Sequence, residues 1–117
     1  MIEEALSLAH TIVETLEEKK GEDVLLLDLT SVCTFTDYFV ICTGSSERTL
    51  QALADEVLRR TKRGRGHAAT QVEGSPHSGW MLLDYGGVIL HLFSPESRDY
   101  YRLEDLWKGG KVVLRLK

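Results

Sequence analysis

The chain has 117 residues, 43% of them hydrophobic and 27% charged, which is the size and composition of one folded domain and excludes wholesale disorder. Its formal net charge of −4 excludes a protein whose main affinity comes from neutralising the phosphates of DNA, and suits a basic protein partner. No run approaches the roughly 18 apolar residues that cross a membrane, and Cys33 and Cys42 stand outside any C-x-x-C arrangement.

From Ile2 to Lys20 the apolar residues Ile2, Ala5, Leu6, Ala9, Ile12, Val13 and Leu16 recur at steps of three and four, the stripe of an amphipathic helix. This start has neither the cationic opening nor the long apolar core of a secretory signal. With two lone cysteines, a reducing, cytoplasmic setting is expected. Val24 to Leu29 is short and apolar and predicts a strand covered on both faces. Tyr38 to Thr43 predicts a second strand, and Thr30 to Asp37 between them is too short and polar for a crossover helix.

Gly44-Ser45-Ser46 opens a second helix with Leu50, Leu53, Ala54, Val57 and Leu58 on one face, either serine serving as N-cap. It closes on Arg59, Arg60, Lys62, Arg63 and Arg65, cations that suit a helix C-terminus and are also the one local segment able to touch phosphate. Gly64 to Ser78 predicts a loop with a short strand near Ala69 to Val72. "GWMLLDYGGVILHLF", Gly79 to Phe93, predicts a hairpin turning at Gly86-Gly87. Ser94-Pro95-Glu96 suits N-cap, N1 and the positive end of a third helix carrying Arg98, Tyr100 and Tyr101. A short segment through Leu106 and Trp107 follows, and after Gly109-Gly110 a last strand-like piece, Val112 to Leu116.

A two-residue turn pairs Tyr85 with Val88, Leu83 with Leu90 and Met81 with Leu92 on one face, the expected core face. The other face then pairs Trp80 with Phe93, Leu82 with His91 and Asp84 with Ile89. Two aromatics and two aliphatics with an acid and a histidine among them have the composition of an interface core. A sheet face covered by another helix is the alternative. Asp84 and His91 are diagonal neighbours, roughly 5 to 8 Å apart at Cβ, but no nucleophile or orienting group accompanies them, so an acid–base pair is not expected.

Thr43-Gly44-Ser45-Ser46 has the form of the phosphate-holding turn of nucleotidyltransferases. That chemistry also needs carboxylates converging on magnesium, and Asp84 stands with Leu82, and Asp28 with Leu26, where an acidic pair would belong. His10, His67, His77 and His91 form no metal-binding spacing. Neither a metal nor a cofactor is expected.

Four segments, "TDYFVICTGSSERTLQALAD", "VEG", "GWMLLDYGGVILHLF" and "SPESRDYYRLEDLW", together resemble the ribosomal silencing factor (RsfS, or Iojap) family in one collinear order over most of Ile2 to Trp107. The resemblance implies an α/β domain, a mixed sheet flanked by helices, nucleotidyltransferase-like without the catalytic acids. It implies a non-enzymatic protein that binds the large ribosomal subunit through ribosomal protein L-fourteen, sterically blocks the small subunit and represses translation when nutrients are scarce. Trp80 matches the family's partner-binding tryptophan. Asp84 and Tyr85 match its Asp-Tyr-Gly segment, and His91, Phe93, Arg98 and Tyr101 its following strand and helix; with Leu82 these make the expected partner-binding set. Gly87 stands where the family usually has an aspartate, removing a charge that could meet a basic partner. The domain is expected over residues 1–107, with 108–117 an extension of unknown role. The alternatives are a nucleotide-binding enzyme using the Gly44-Ser45-Ser46 turn and a self-associating module, including a homodimer when free.

Overall fold

The computed structural model describes residues 2–65 and 68–117. His67 and the side chains of Arg63 and Arg65, included in the expectations above, lie outside what it describes. The chain runs α1 (Ile2–Glu18), β1 (Glu22–Asp28), β2 (Tyr38–Thr43), α2 (Glu47–Arg65), β3 (Gln71–Ser75), β4 (Trp80–Asp84), β5 (Val88–Phe93), α3 (Pro95–Tyr101), α4 (Leu103–Leu106) and β6 (Lys111–Leu116). The expected α/β class is the one found, a mixed sheet of six strands in the order β3-β4-β5-β2-β1-β6. Only β2 and β5 run parallel, and every other pairing is antiparallel.

Alternation along the strands sorts their side chains into two clusters. One joins Val24, Leu26, Val40, Cys42, Leu83, Leu90 and Leu92 to the apolar stripes of α1 and α2, through Ala9, Ile12, Leu16, Leu53 and Val57. The other gathers Leu25, Leu27, Phe39, Ile41, Ile89 and Phe93 under Leu29 and Leu103, with Trp80, Leu82 and Trp107 partly buried at its margin. Long helices close the first face. Among the described residues the second is covered by α3, α4 and the loop between β1 and β2.

The caps follow the expected chemistry. Ser46 Oγ accepts from the Thr49 amide at 3.1 Å, and Ser94 Oγ from the Ser97 amide at 3.2 Å, with Pro95 opening α3. The hairpin register is the expected one, Trp80 opposite Phe93, Leu82 opposite His91 and Asp84 opposite Ile89. It is closed by the Tyr85 amide donating to the Val88 carbonyl at 2.8 Å. Gly86 takes a positive φ of 87°, as a tight two-residue turn requires.

Two expectations change. The strand expected near Ala69 to Val72 lies later, at Gln71–Ser75, because pairing with β4 rather than local apolarity defines it. The segment expected as an extension beyond residue 107 contains β6, which hydrogen-bonds to β1 along its length and forms the sheet's edge. Leu114 and Leu116 pack against the first cluster, while Val112 and Val113 stay exposed at the edge.

Candidate partner-binding face

Trp80, Leu82 and Asp84 project from β4 on the thinly covered side of the sheet, as strand alternation requires. Trp80 sits against Phe93, ring centroids 5.0 Å apart, and against Tyr101 of α3, 4.6 Å apart. Beside it runs a groove of about 330 Å³ lined by Glu73, Gly74, Ser78, Trp80, Leu82 and Tyr101. Tyr101 remains 44% exposed and the neighbouring Tyr100 81%, so this corner presents aromatic surface to solvent.

The residues expected as contacts do not all reach that surface. His91 and Phe93 are 4% and 0% exposed: both lie beneath Trp80, in the layer on which it rests. The Trp80 indole Nε1–H donates to His91 Nδ1 at 3.1 Å, and burial pushes the imidazole down to about 3, so His91 is neutral. A neutral, buried imidazole with no adjoining nucleophile does not form an acid–base pair with Asp84. The Asp84 carboxylate instead accepts from the Gly86 amide at 2.7 Å, bracing the turn.

Arg98 is also interior. Its Nη1 donates to Thr43 Oγ1 at 2.8 Å and to the Asp23 carbonyl at 3.0 Å, and its guanidinium lies 3.4 Å from Glu104 and 3.5 Å from the Asp23 carboxylate. The Asp23 carboxyl is held below its ordinary range chiefly by the hydrogen bond from Arg115, with the charge of Arg98 adding to it. This network ties α3 to β1, β2 and β6, and thereby fixes Tyr101 over Trp80. Tyr85 lies on the opposite face, where its hydroxyl is 3.0 Å from Thr61 Oγ1 of α2 and burial raises its pKa. It is not brought together with Trp80.

Sequence reasoning missed part of the cluster. Phe39 of β2 packs edge-on against His91, centroids 4.6 Å apart, and continues to Trp107 at 5.7 Å and Phe35 at 6.0 Å. Alternation within β2 placed Phe39 opposite in sense to Val40, but only the parallel β2–β5 pairing brings it beside Ile89 and His91. Glu73 was missed because β3 was not delimited; its pairing with Leu82 sets its carboxylate at the rim of the groove.

The remaining features have structural explanations. A Cβ at Gly87 would meet Ala5 Cβ at 3.0 Å and the Asp37 carboxylate at 3.4 Å. A carboxylate there would thus lie toward α1, away from Trp80, so its loss does not alter the charge of the aromatic corner. A Cβ at Gly44 would meet Leu50 Cδ2 at 2.7 Å, which accounts for that glycine without a phosphate. A cleft of about 350 Å³ does lie between the starts of α2 and α3, but Glu47 and Glu96 line it and would repel an anion. Arg59 pairs with Glu56, and Arg60 bridges Glu56 and Glu18 of α1. Among the described residues no three His, Cys, Asp or Glu side chains converge as metal ligands, and no helix is long and apolar enough to cross a membrane.

The model of one protein family, described as "Ribosomal silencing factor during starvation", matches residues 2–116, nearly the whole chain and β6 with it. The chain belongs to the ribosomal silencing factor family. It is similar to the ribosomal silencing factor RsfS of Halalkalibacterium halodurans, 37% identical over 111 residues that make up 95% of this chain and 92% of that one. It is 32% identical over 98 residues to a mouse protein named "Mitochondrial assembly of ribosomal large subunit protein 1", covering 82% of this chain and 43% of the mouse protein. A crystal structure of a Chromobacterium violaceum protein superposes with a TM-score of 0.82 at 34% identity, covering 97% of this chain and 93% of that one. The bacterial relative is named for silencing ribosomes and the mouse protein for assembly of the large ribosomal subunit.

Proposed function

We propose that the protein docks on the large ribosomal subunit, through ribosomal protein L-fourteen, and sterically prevents the small subunit from joining, repressing translation when nutrients are limiting. It acts in the cytoplasm, by occupancy, and requires no turnover and no cofactor. The observation that carries this reading is the aromatic corner at Trp80, Leu82 and Tyr101, partly open to solvent on the thinly covered sheet face of a ribosomal silencing factor family chain. Large aromatic side chains at the centre of a patch are the usual anchors of protein interfaces.

The contacts in this reading are Trp80, Leu82, Tyr101 and the rim carboxylate of Glu73, with Asp84 at the far end of β4. Phe93, His91 and Arg98 serve from beneath by fixing the contact layer. The carboxylates favour a basic partner surface. A contact from the Arg59–Arg65 segment to ribosomal RNA gains no support from Arg59 and Arg60, whose guanidinium groups are already paired.

Trp80→Ala should weaken co-sedimentation with purified large subunits by about 2 kcal/mol or more, the scale of an interface hot spot. Parent-like binding by that variant, folded and soluble, would remove Trp80 from the site. Light scattering over a concentration series tests the competing occupant, a second copy of the chain on the same face. A dimer abolished by Trp80→Ala, with large-subunit binding unaffected, would assign the corner to self-association.

A further inference from the structure

We propose that His91 is a positioning residue for Trp80, consuming the indole N–H so that a partner meets the ring of Trp80 and not a hydrogen-bond donor. This rests on the docking reading above, and deepens it by stating what the anchor offers.

Tryptophan can only donate, so the 3.1 Å contact from Trp80 Nε1 to His91 Nδ1 requires Nδ1 to be unprotonated. The ring proton then sits on Nε2, a buried atom with no hydrogen-bond partner among the described residues. Leaving a buried donor unmet carries a penalty that an apolar residue at position 91 would avoid. The residues that strand pairing and ring packing bring to the imidazole are apolar or aromatic: Leu82 directly across the hairpin, Ile41 across the parallel pairing, and Phe39 packed edge-on. A residue chosen only to fill this layer would have been aliphatic or phenylalanine. The feature that histidine adds is an acceptor aimed at the indole of the one partly open tryptophan on β4.

The geometry also limits the indole's freedom. Its ring is gripped by Phe93 and Tyr101, and the hydrogen bond selects which edge of the ring turns inward. Fixing a large side chain before binding lowers the entropy lost on docking. Because the N–H is taken, the partner side chain that covers Trp80 is one that recognises an aromatic surface, either apolar or cationic. A partner acceptor aimed at the indole nitrogen would have to displace His91.

The hydrogen bond is tested without the ribosome, by nitrogen-15 NMR of the unmutated chain, with Trp107→Phe used only to assign the two indole signals. The expected result is a Trp80 N–H that exchanges at least about tenfold more slowly than a free indole, and His91 protonated on Nε2 at neutral pH. Exchange at the free-indole rate, or the opposite tautomer, overturns the proposal. In the binding arm, His91→Phe preserves an aromatic ring but lacks the acceptor, and His91→Asn restores an acceptor near the position of Nδ1. His91→Phe should weaken large-subunit binding about tenfold, because the freed indole N–H must then be buried without an acceptor on docking, and His91→Asn should recover part of that loss. Parent-like binding by His91→Phe, or equal losses in both variants, overturns the positioning role. If Trp80→Ala itself binds like the parent, the docking reading fails, and the NMR result still decides whether His91 holds the indole.

Discussion

The sheet has two faces made from the same strands, and they are finished differently. Beneath α1 and α2, Val40, Leu83, Leu90 and Leu92 are fully removed from solvent and pack against the apolar stripes of two long helices. On the other side, the alternate residues of those strands meet two short helices and a loop, and the cover ends before Trp80 and Leu82 are enclosed. A face closed by helices has one duty, to hold the fold. A face left partly open, with aromatic residues stacked on a buried histidine, is already ordered in the way that lowers the cost of binding. On the proposed docking reading, the difference separates substitutions that act on folding from those that act on docking.

The largest effect expected belongs to the closed face. Leu90→Ala removes a side chain with no exposed surface, and should cost about 2 to 5 kcal/mol of stability through lost burial and the cavity left behind. Urea unfolding measures it. The fraction that remains folded should bind large subunits as the parent does, the reverse of Trp80→Ala. Weakened binding by fully folded Leu90→Ala would mean that the two faces are coupled and the separation is wrong.

The next effect exploits His91, the buried histidine of the open face. Burial holds His91 down to about 3 from an ordinary value of 6.5, so between those values the unfolded chain binds a proton that the folded chain does not. Stability contributed by the neutral imidazole is intact above pH 6.5 and is lost as pH falls toward 3, at up to about 1.4 kcal/mol per pH unit for one group. Cys42, the buried thiol of the closed face, stays protonated throughout that range, since burial pushes it up to about 12. Urea midpoints at pH 7 and pH 5 should therefore differ more for the parent than for His91→Phe. Equal differences would show that His91 is accessible and titrates normally.

Much of this division was legible in the chain. The stripe of α1, the short apolar runs of β1 and β2 and the Gly86-Gly87 turn are local patterns, and the turn alone fixed the register that puts Trp80, Leu82 and Asp84 on one side. Burial on that side was not legible, because it depends on partners distant in sequence. Phe39 reaches His91 only through the parallel β2–β5 pairing, and Arg98 is drawn inward by Thr43 and Asp23, more than fifty residues earlier. Nothing in the spacing of "SPESRDYY" distinguishes an arginine that faces solvent from one that bolts a helix to a sheet. The family resemblance could name the segment around Arg98, but the direction of its side chain had to come from the packing. Likewise, β6 has an apolar pattern that predicts a strand, while its place at the edge beside β1 is a matter of pairing.

The smallest effect sharpens the open face at its far end. Asp84 is half-buried, and its carboxylate oxygen accepts from the Gly86 amide at 2.7 Å. Asp84→Asn preserves an acceptor oxygen for that bond, so the hairpin turn should persist and stability should change by less than about 0.5 kcal/mol. What the variant removes is one negative charge on the same side of the sheet as Trp80. For a charge at the rim of a docking surface, the loss falls on the rate of association and its dependence on salt more than on the lifetime of the complex. Stopped-flow association with large subunits at two ionic strengths should therefore show a slower rate and a flatter salt slope, with dissociation unchanged. An unaltered slope would confine Asp84 to bracing the turn, and would shrink the docking face to the aromatic corner around Trp80 and the carboxylate of Glu73.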